Sequence, residues 1–270
     1  MWLPETEKVL NVLSEEERIK DYVFVGGSAM SYYLNHRLSE DIDLAYPAET
    51  LKMDDSIDRI ISNLSKKGIS IVEKPESASR HYERIYFANG VKLEFYAANE
   101  NSLENRRIIL KNNLYIADLD TLIAIKGMVI HNRAKLRDYY DLYAVNNIYG
   151  IDKIILETQR FYNTEKLSRF NKANFFQEIV NLSDIKEEKI DSYLNPKYDI
   201  AKSEMQSYFE NEIKKYIEKE FIKSKNQIIE NKAHSIIQES ESPMPNGDDF
   251  TQNPQNKPEI KPEIKRKFRR

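Results

Sequence analysis

A short apolar run in this sequence ends at two consecutive glycines, and a helical pattern begins directly behind them. Tyr22–Val25 has the composition of a buried strand, and Ser28–His36 places apolar residues at helical spacing, with Ser28 suited to cap the helix. Gly26 and Gly27 have no Cβ, so a polyanion can approach the backbone where the helix start presents its N–H groups. The segment therefore predicts a strand, a turn and a helix that can hold phosphate groups.

Two aspartates one residue apart follow this helix. Because Asp41–Ala45 alternates like a strand, Asp41 and Asp43 project from the same face. Adjacent like charges repel unless a cation lies between them, and their oxygens suit Mg²⁺, with Mn²⁺ as a substitute. We therefore predict a metal site at Asp41 and Asp43. Taken singly, a glycine pair is also typical of an ordinary turn, and an Asp-x-Asp string of a solvated strand end.

The apolar period changes along the chain and divides it into three parts. Helical patterns cover Pro4–Lys20, Ser28–His36 and Ser56–Lys66, and two of the strand-like runs, His81–Ala88 and Val91–Ala97, flank the Asn89-Gly90 hairpin signal. The first hundred residues therefore predict a mixed sheet with helices. Beyond Ser102 the apolar spacing is helical, and beyond Ser240 proline, asparagine and lysine dominate. The fold class is therefore α/β (α+β), with an α/β domain over residues 1–101, a helical domain over 102–239 and a disordered basic tail over 240–270.

Composition narrows the chemistry and the compartment. The 270 residues include no cysteine, which excludes thiol nucleophiles and Cys-ligated zinc, and a net charge of −3 gives no global nucleic-acid footprint. The basic tail is as typical of a solvated terminus as of an RNA-binding arm. No apolar run approaches the roughly 18 residues that span a bilayer, and the first residues show no signal peptide. We expect a cytoplasmic protein without a membrane segment.

The two motifs resemble a known family when they are read together. Gly26-Gly-Ser-Ala-Met30, followed by His36-Arg-Leu-Ser-Glu-Asp-Ile-Asp-Leu44, is similar to the AbiEii/AbiGii-type nucleotidyltransferase toxins of the DNA polymerase β-type superfamily. That family also has a helix with a lysine, followed by an Arg-Asp-x-x-Asp segment. Lys126 and the segment Arg137–Asp141 match this second signature. The resemblance spans roughly Tyr22 to Tyr143.

The resemblance implies a nucleotidyltransferase domain and a Mg²⁺-dependent transfer of a nucleoside monophosphate from a triphosphate to an acceptor hydroxyl. It further implies an RNA acceptor such as a tRNA 3′ end, the toxin role in a toxin–antitoxin or abortive-infection system, and a separately encoded antitoxin. The residues predicted to be catalytic are Asp41, Asp43, Glu94 and Lys126. Those predicted to bind the nucleotide are Gly26, Gly27, Ser28, Arg37, Ser39, Lys126, Arg133, Arg137, Asp138 and Asp141.

Several of these roles have simpler alternatives. Lys126 and Arg133 are seven residues apart and share a helix face toward phosphates, whereas Arg137 and Asp141 have the spacing of a surface ion pair. The superfamily usually has a third carboxylate on a strand beside the Asp-x-Asp strand, and Glu94 is the candidate here. A cross-strand ion pair with a lysine is the alternative for Glu94.

Two other functions are compatible with the same residues. One is a non-catalytic nucleotide or RNA sensor that keeps the phosphate cradle and the metal but transfers nothing. The other is a nucleotidyltransferase that modifies a Tyr, Ser or Thr hydroxyl of a protein. Intact Asp41, Asp43 and Lys126 favour an enzyme over a sensor.

Overall fold

The computed structural model describes residues 1–51, 55–77, 80–98, 101–132, 135–165 and 170–240. Met1–Phe221 forms one compact unit and Ile222–Arg270 a second one, of which residues 222–240 are described as the end of a helix. The predicted tail, residues 240–270, lies outside the described residues except for the backbone of Ser240. The mixed α/β fold that the sequence predicts is confirmed.

A single mixed sheet organises the first unit. Its strands, in chain order, are β1 (Val23–Val25), β2 (Ile42–Tyr46), β3 (Ile71–Glu73), β4 (Glu83–Ala88), β5 (Val91–Ala97), β6 (Arg107–Lys111) and β7 (Leu114–Ala117). Their order across the sheet is β3-β4-β5-β2-β1-β7-β6. The pairs β2–β5 and β1–β7 are parallel, and the other neighbours are antiparallel.

Helices precede, connect and follow the strands. They are α1 (Pro4–Ser14), α2 (Gly26–Leu34), α3 (Ser56–Lys66), α4 (Asn101–Asn105), α5 (Leu119–Asn132), α6 (Leu136–Tyr149), α7 (Ile151–Thr164), α8 (Lys172–Val180) and α9 (Lys202–Ser240). Short 3₁₀ turns cover Glu17–Asp21, Pro75–Ser77 and Ser192–Leu194. None of the helices in the described ranges is both long and apolar enough to cross a membrane.

The central strands are buried because apolar side chains cover them. All three residues of β1 are buried, and Ile42 and Leu44 of β2 are completely inaccessible, while Asp43 between them projects from the opposite face. Helix α3 shows the matching pattern, since its buried residues Ile57, Ile60 and Leu64 recur every three or four positions. This burial fixes the register of β2, and with it the face on which Asp43 lies.

The structure corrects the prediction that the chain becomes helical after residue 101. β6 and β7 form an antiparallel hairpin there, turning at Asn112 with a positive φ of 47°, and β7 pairs in parallel with β1. The sheet therefore continues to Ala117, past the boundary predicted at residue 101. Leu114, Ile116 and Ala117 are buried, but β7 has only four residues, which is too short for its alternation to stand out in the sequence.

Two predicted helix boundaries are also wrong. Helix α2 begins at Gly26 rather than behind an N-cap at Ser28, and Val25 is the capping position, without a side-chain hydrogen bond. The predicted N-terminal helix over Pro4–Lys20 instead divides into α1 and a 3₁₀ turn. Because α2 starts two residues early, both glycines belong to its first turn, directly behind the end of β1.

Candidate active site

A cavity of about 500 Å³ opens between the start of α2, strands β2 and β5, and helices α5 and α6. Its polar lining residues are Gly26, Gly27, Ser28, Arg37, Ser39, Asp41, Asp43, Tyr82, Glu83, Lys92, Glu94, Tyr96, Lys126, Lys135, Arg137 and Asp138. All the predicted site residues belong to this lining except Arg133, which lies outside the described residues, and Asp141. The fold therefore brings both sequence signatures to one cavity.

The glycine turn lies in direct contact with the charged groups of the cavity. Gly26 has a φ of +78°, and a Cβ at this position would lie 2.1 Å from Oδ2 of Asp43. A Cβ on Gly27 would lie 2.5 Å from a terminal nitrogen of Arg37. Only glycine avoids both collisions, so the backbone of the first turn of α2 can face the cavity with Asp43 and Arg37 on either side.

Two serines join this turn to the strand that bears the aspartates. The hydroxyl of Ser28 is buried, lies 2.8 Å from Oγ of Ser39 and donates a hydrogen bond to the main-chain oxygen of Asp41. These contacts hold the segment before β2 against α2. Ser28 and Ser39 therefore fix the position of Asp41 within the cavity wall.

Three carboxylates line the cavity: Asp41 directly before β2, Asp43 on β2 and Glu94 on β5. Asp43 is the register partner of Glu94 across the parallel pair of strands, so the two side chains lie side by side on one face. Burial, together with the charges of Glu94 and Asp41, raises the pKa of Asp43 to about 6, against the opposing charges of Lys92 and Lys126. The cavity wall therefore concentrates negative charge at Asp43.

Glu94 forms an ion pair with Lys92 on its own strand. The lysine partner that the alternative predicted is therefore present, but it lies two residues earlier on β5 itself and not across the strands. Burial by itself would lower the pKa of Lys92, but the hydrogen bond and charge of Glu94, with the charges of Asp43 and Asp41, raise it. Lys92 was not among the predicted site residues, although its spacing of two from Glu94 on a strand was the available signal.

Asp141 lies behind the cavity lining at the centre of a buried polar cluster. Its carboxylate is fully buried and has His36 Nε2 at 2.7 Å, Arg37 Nε at 2.8 Å and Lys126 Nζ at 2.9 Å. Burial would raise the pKa of Asp141, but the charges of Arg37 and Lys126 and the hydrogen bond from His36 hold it well below the usual range. Asp141 was predicted to bind the nucleotide, but its position lets it act only through the cations that it holds.

Lys126 connects this cluster to the cavity. Its Nζ lies 2.5 Å from Oδ1 of Asp138, whose other oxygen accepts a hydrogen bond from the Lys135 backbone N–H at the start of α6. Burial would lower the pKa of Lys126, but Asp141 and Asp138 raise it, so the ammonium is charged although only 8% of the residue is exposed. The structure thus presents a fixed cation in the cavity wall.

Arg137 has a different partner from the one its spacing indicated. The i, i+4 pair with Asp141 is not formed, because Asp141 is turned inward and Arg137 contacts Glu40 at 2.9 Å. Glu40 also accepts a hydrogen bond from the Tyr193 hydroxyl at 3.1 Å. Arg137 is half-buried and lines the cavity, so its guanidinium remains within reach of a bound anion.

The carboxylates of β2 have the chemistry of a magnesium site open to substrate. Among the described residues, no group of three or more His, Asp or Glu side chains is arranged to hold a metal ion by itself. Asp41 and Asp43 nevertheless offer two hard oxygen donors, and the pKa of Asp43 is raised first by burial and then by the neighbouring charges of Glu94 and Asp41. This fits Mg²⁺, which commonly binds one or two carboxylates and completes its shell with water and phosphate.

A phosphate-accommodating glycine turn beside an Asp-x-Asp strand, on a mixed sheet with a helical second half, defines a nucleotidyltransferase. The chain matches the family described as "Nucleotidyl transferase AbiEii toxin, Type IV TA system" over residues 8–221, and it belongs to that family. The predicted family and enzyme class are confirmed. Membership of a type IV toxin–antitoxin family also implies a nucleoside triphosphate substrate and an antitoxin partner.

Similar proteins come from several bacteria. The uncharacterized protein aq_aa25 of Aquifex aeolicus (strain VF5) is 25% identical over 201 residues, which are 73% of this chain and 89% of that protein. JHP933 from Helicobacter pylori has a TM-score of 0.46 at 19% identity, covering 82% of this chain and 96% of its own. MenT4, the nucleotidyltransferase toxin Rv2826c from Mycobacterium tuberculosis H37Rv, has a TM-score of 0.44 at 11% identity, covering 78% and 84%. The family assignment is independent of these weaker similarities.

Proposed function

We propose that this chain transfers a nucleoside monophosphate from a nucleoside triphosphate to an acceptor hydroxyl, with Mg²⁺ bound by Asp41 and Asp43. One observation supports this above the others: the carboxylates of β2 and β5 and the fixed cations Arg37 and Lys126 border one cavity at the glycine turn. Opposite charges in this arrangement suit a metal on one side and phosphate oxygens on the other.

In this proposal the triphosphate lies along the start of α2. Gly26 and Gly27 present backbone N–H groups to it, and Lys126 and Arg37 face its oxygens from α5 and the loop behind α2. Ser28 and Ser39 hold the turn, while Arg137 is available for an outer phosphate or for the acceptor. Asp138 and Asp141 orient Lys126, so their contribution to nucleotide binding is indirect.

The reaction is an in-line displacement at the α-phosphorus. The acceptor oxygen forms a bond to that phosphorus as the bond to the bridging oxygen breaks, and pyrophosphate leaves with the electron pair. Glu94, adjacent to Asp43, accepts the proton of the acceptor hydroxyl. When it is bound, Mg²⁺ supplies charge neutralisation at the triphosphate, which is most of what such a transfer requires.

We further propose that the acceptor is RNA, such as a tRNA 3′ end, and that a separately encoded antitoxin opposes the reaction. Both parts rest on family membership, and the half-buried Arg137 at the cavity edge gives an RNA phosphate a place to bind. The nucleoside triphosphate pool is cytoplasmic, which is where we place the protein. Transfer to a protein hydroxyl and a sensor without transfer are the competing outcomes.

The decisive experiment follows the label. The purified chain is incubated with Mg²⁺, each of the four nucleoside triphosphates labelled at the α-phosphate, and either total RNA or total protein from the host. We expect label in RNA with the wild type and none with Asp43→Asn. Asp152→Asn is the control, because Asp152 is a half-exposed carboxylate paired with Lys219 at 3.0 Å on the surface. Label in protein would overturn the RNA acceptor. Absence of label from both the RNA and the protein fraction would overturn the transfer itself.

A further inference from the structure

We infer that the Lys92 ammonium occupies the place of a second cation, so that this site holds one divalent ion rather than two. The inference rests on the proposed function, because it concerns the ion that Asp41 and Asp43 would hold. Metal-assisted transfers of this type often use two ions, one beside the attacking oxygen and one beside the leaving oxygen. Lys92 would supply the first of these positive charges permanently.

The position of Lys92 carries this inference. On β5, Val91, Leu93 and Phe95 are buried on one face, and Lys92 and Glu94 line the cavity on the other. Glu94 is the register partner of Asp43, so the lysine that pairs with Glu94 lies beside the carboxylates that would hold metal. The charges of Asp43 and Asp41 also raise the pKa of Lys92, so the ammonium that contacts Glu94 lies within electrostatic range of all three carboxylates.

Charge balance gives a second, independent argument. Asp41, Asp43 and Glu94 contribute three negative charges when ionised, and Lys92 neutralises one of them. A single divalent ion neutralises the other two. Lys126 also acts on Asp43 through its charge, but Lys126 and Arg37 together are balanced by Asp138 and Asp141, which hold them. A second divalent ion would overcompensate the cluster and would have to take Glu94 away from Lys92.

Glu94 is therefore committed to the lysine and not to a metal. If a second ion took Glu94 from Lys92, the Lys92 ammonium would lose its partner and would lie next to a divalent cation. This would be costly because the side chain of Lys92 is only 34% exposed. Removing the ammonium should instead free Glu94 and open a place for a second ion.

The test counts bound ions. The full chain, without nucleotide, is titrated with Mn²⁺ while the signal of free Mn²⁺ is followed by electron paramagnetic resonance. We expect one ion per wild-type chain, two per Lys92→Met chain and none at this site in Asp43→Asn. Lys67→Met is the matched control, because Lys67 has a side chain 38% exposed and also pairs with a glutamate, Glu16, at 2.9 Å. This control should bind one ion, like the wild type.

The possible results distinguish a failure of the role inferred for Lys92 from a failure of the proposed metal site. Two ions on the wild type, or one on both the wild type and Lys92→Met, would overturn the role of Lys92 and leave the proposed transfer intact. Equal Mn²⁺ binding by wild type and Asp43→Asn would overturn the metal site, and the inference with it. Thermal melting of each variant accompanies the titration, so that a misfolded Lys92→Met is recognised, and Lys92→Gln then takes its place.

Discussion

Asp141→Asn tests whether the buried cluster supports the site in the way its geometry indicates. The substitution keeps the volume of the side chain but removes a charge that contacts both Arg37 and Lys126. Breaking a buried ion pair by removing one partner costs about 3–5 kcal/mol. At roughly 2–4 °C per kcal/mol for a unit of this size, the melting temperature should fall by about 6–20 °C at pH 7.

The pH dependence of this loss has a definite sign. The folded-state pKa of Asp141 lies below its ordinary value of 3.8, so the ionised carboxylate stabilises the native state at every pH above that value. The contribution is lost as the pH falls further, toward the folded-state pKa. The difference between wild type and Asp141→Asn should therefore be constant near neutrality and shrink below about pH 4.

The assay is a set of thermal melts of both proteins across this range, with Asp152→Asn as the surface control. A double-mutant cycle with Arg37→Met isolates the coupling, because Arg37 contacts Asp141 through Nε at 2.8 Å and a terminal nitrogen at 3.2 Å. The two losses should be far from additive. A melting temperature of Asp141→Asn within about 2 °C of the wild type at pH 7, which corresponds to roughly 1 kcal/mol, would refute the reasoning.

Three further predictions concern the cavity itself. Without metal at pH 7, Asp43→Asn should melt at a higher temperature than the wild type, by an amount equivalent to about 1–3 kcal/mol. The reason is that the folded-state pKa of Asp43 is raised, so its ionisation between pH 4 and 6 increasingly destabilises the native state. A lower melting temperature of Asp43→Asn would contradict this. Gly26→Ala should lose Mn²⁺ affinity and at least about 1 kcal/mol of stability, since its φ of +78° and the contact with Asp43 both oppose a Cβ; unchanged Mn²⁺ binding in a titration would argue against the close approach. Lys126→Ala should weaken nucleotide binding ten-fold or more, equivalent to about 1.4 kcal/mol, and should also lower the melting temperature. Calorimetric titration measures the affinity and a thermal melt the stability. Unchanged affinity with only a lower melting temperature would remove Lys126 from the nucleotide site.

Local sequence patterns are enough to predict the helices and strands that position most of the site residues. Ser56–Lys66 is helical, Val91–Ala97 is a strand, and the Asn89-Gly90 turn joins β4 to β5, all as predicted. Each of these depends on a period or turn signal contained in fewer than a dozen residues. The same holds for the face of Asp43, which follows from the alternation of buried and polar residues along β2.

What the sequence could not provide is pairing between distant segments. The β6–β7 hairpin belongs to the sheet because β7 pairs with β1. No local pattern within Leu114–Ala117 indicates that pairing. Likewise, spacing assigned Asp141 to Arg137 on its own helix, whereas the fold pairs it with Arg37, more than a hundred residues earlier in the chain. A helical wheel reports which residues share a face, but only the tertiary structure decides whether that face is exposed.

The charges of the cavity lead to a last prediction about nucleotide binding. Arg37 and Lys126 carry two positive charges, and Asp138 and Asp141 already balance them. Lys92 is balanced by Glu94 in the same way. Arg37, Lys126 and Lys92 therefore offer a triphosphate well-placed donors but little uncompensated positive charge, and we expect the divalent ion to supply most of it. We expect chelation of the metal to weaken triphosphate binding more than Lys126→Ala does. Calorimetric titration with and without a chelator measures both, and nearly equal affinity in the two conditions would show that the side chains suffice.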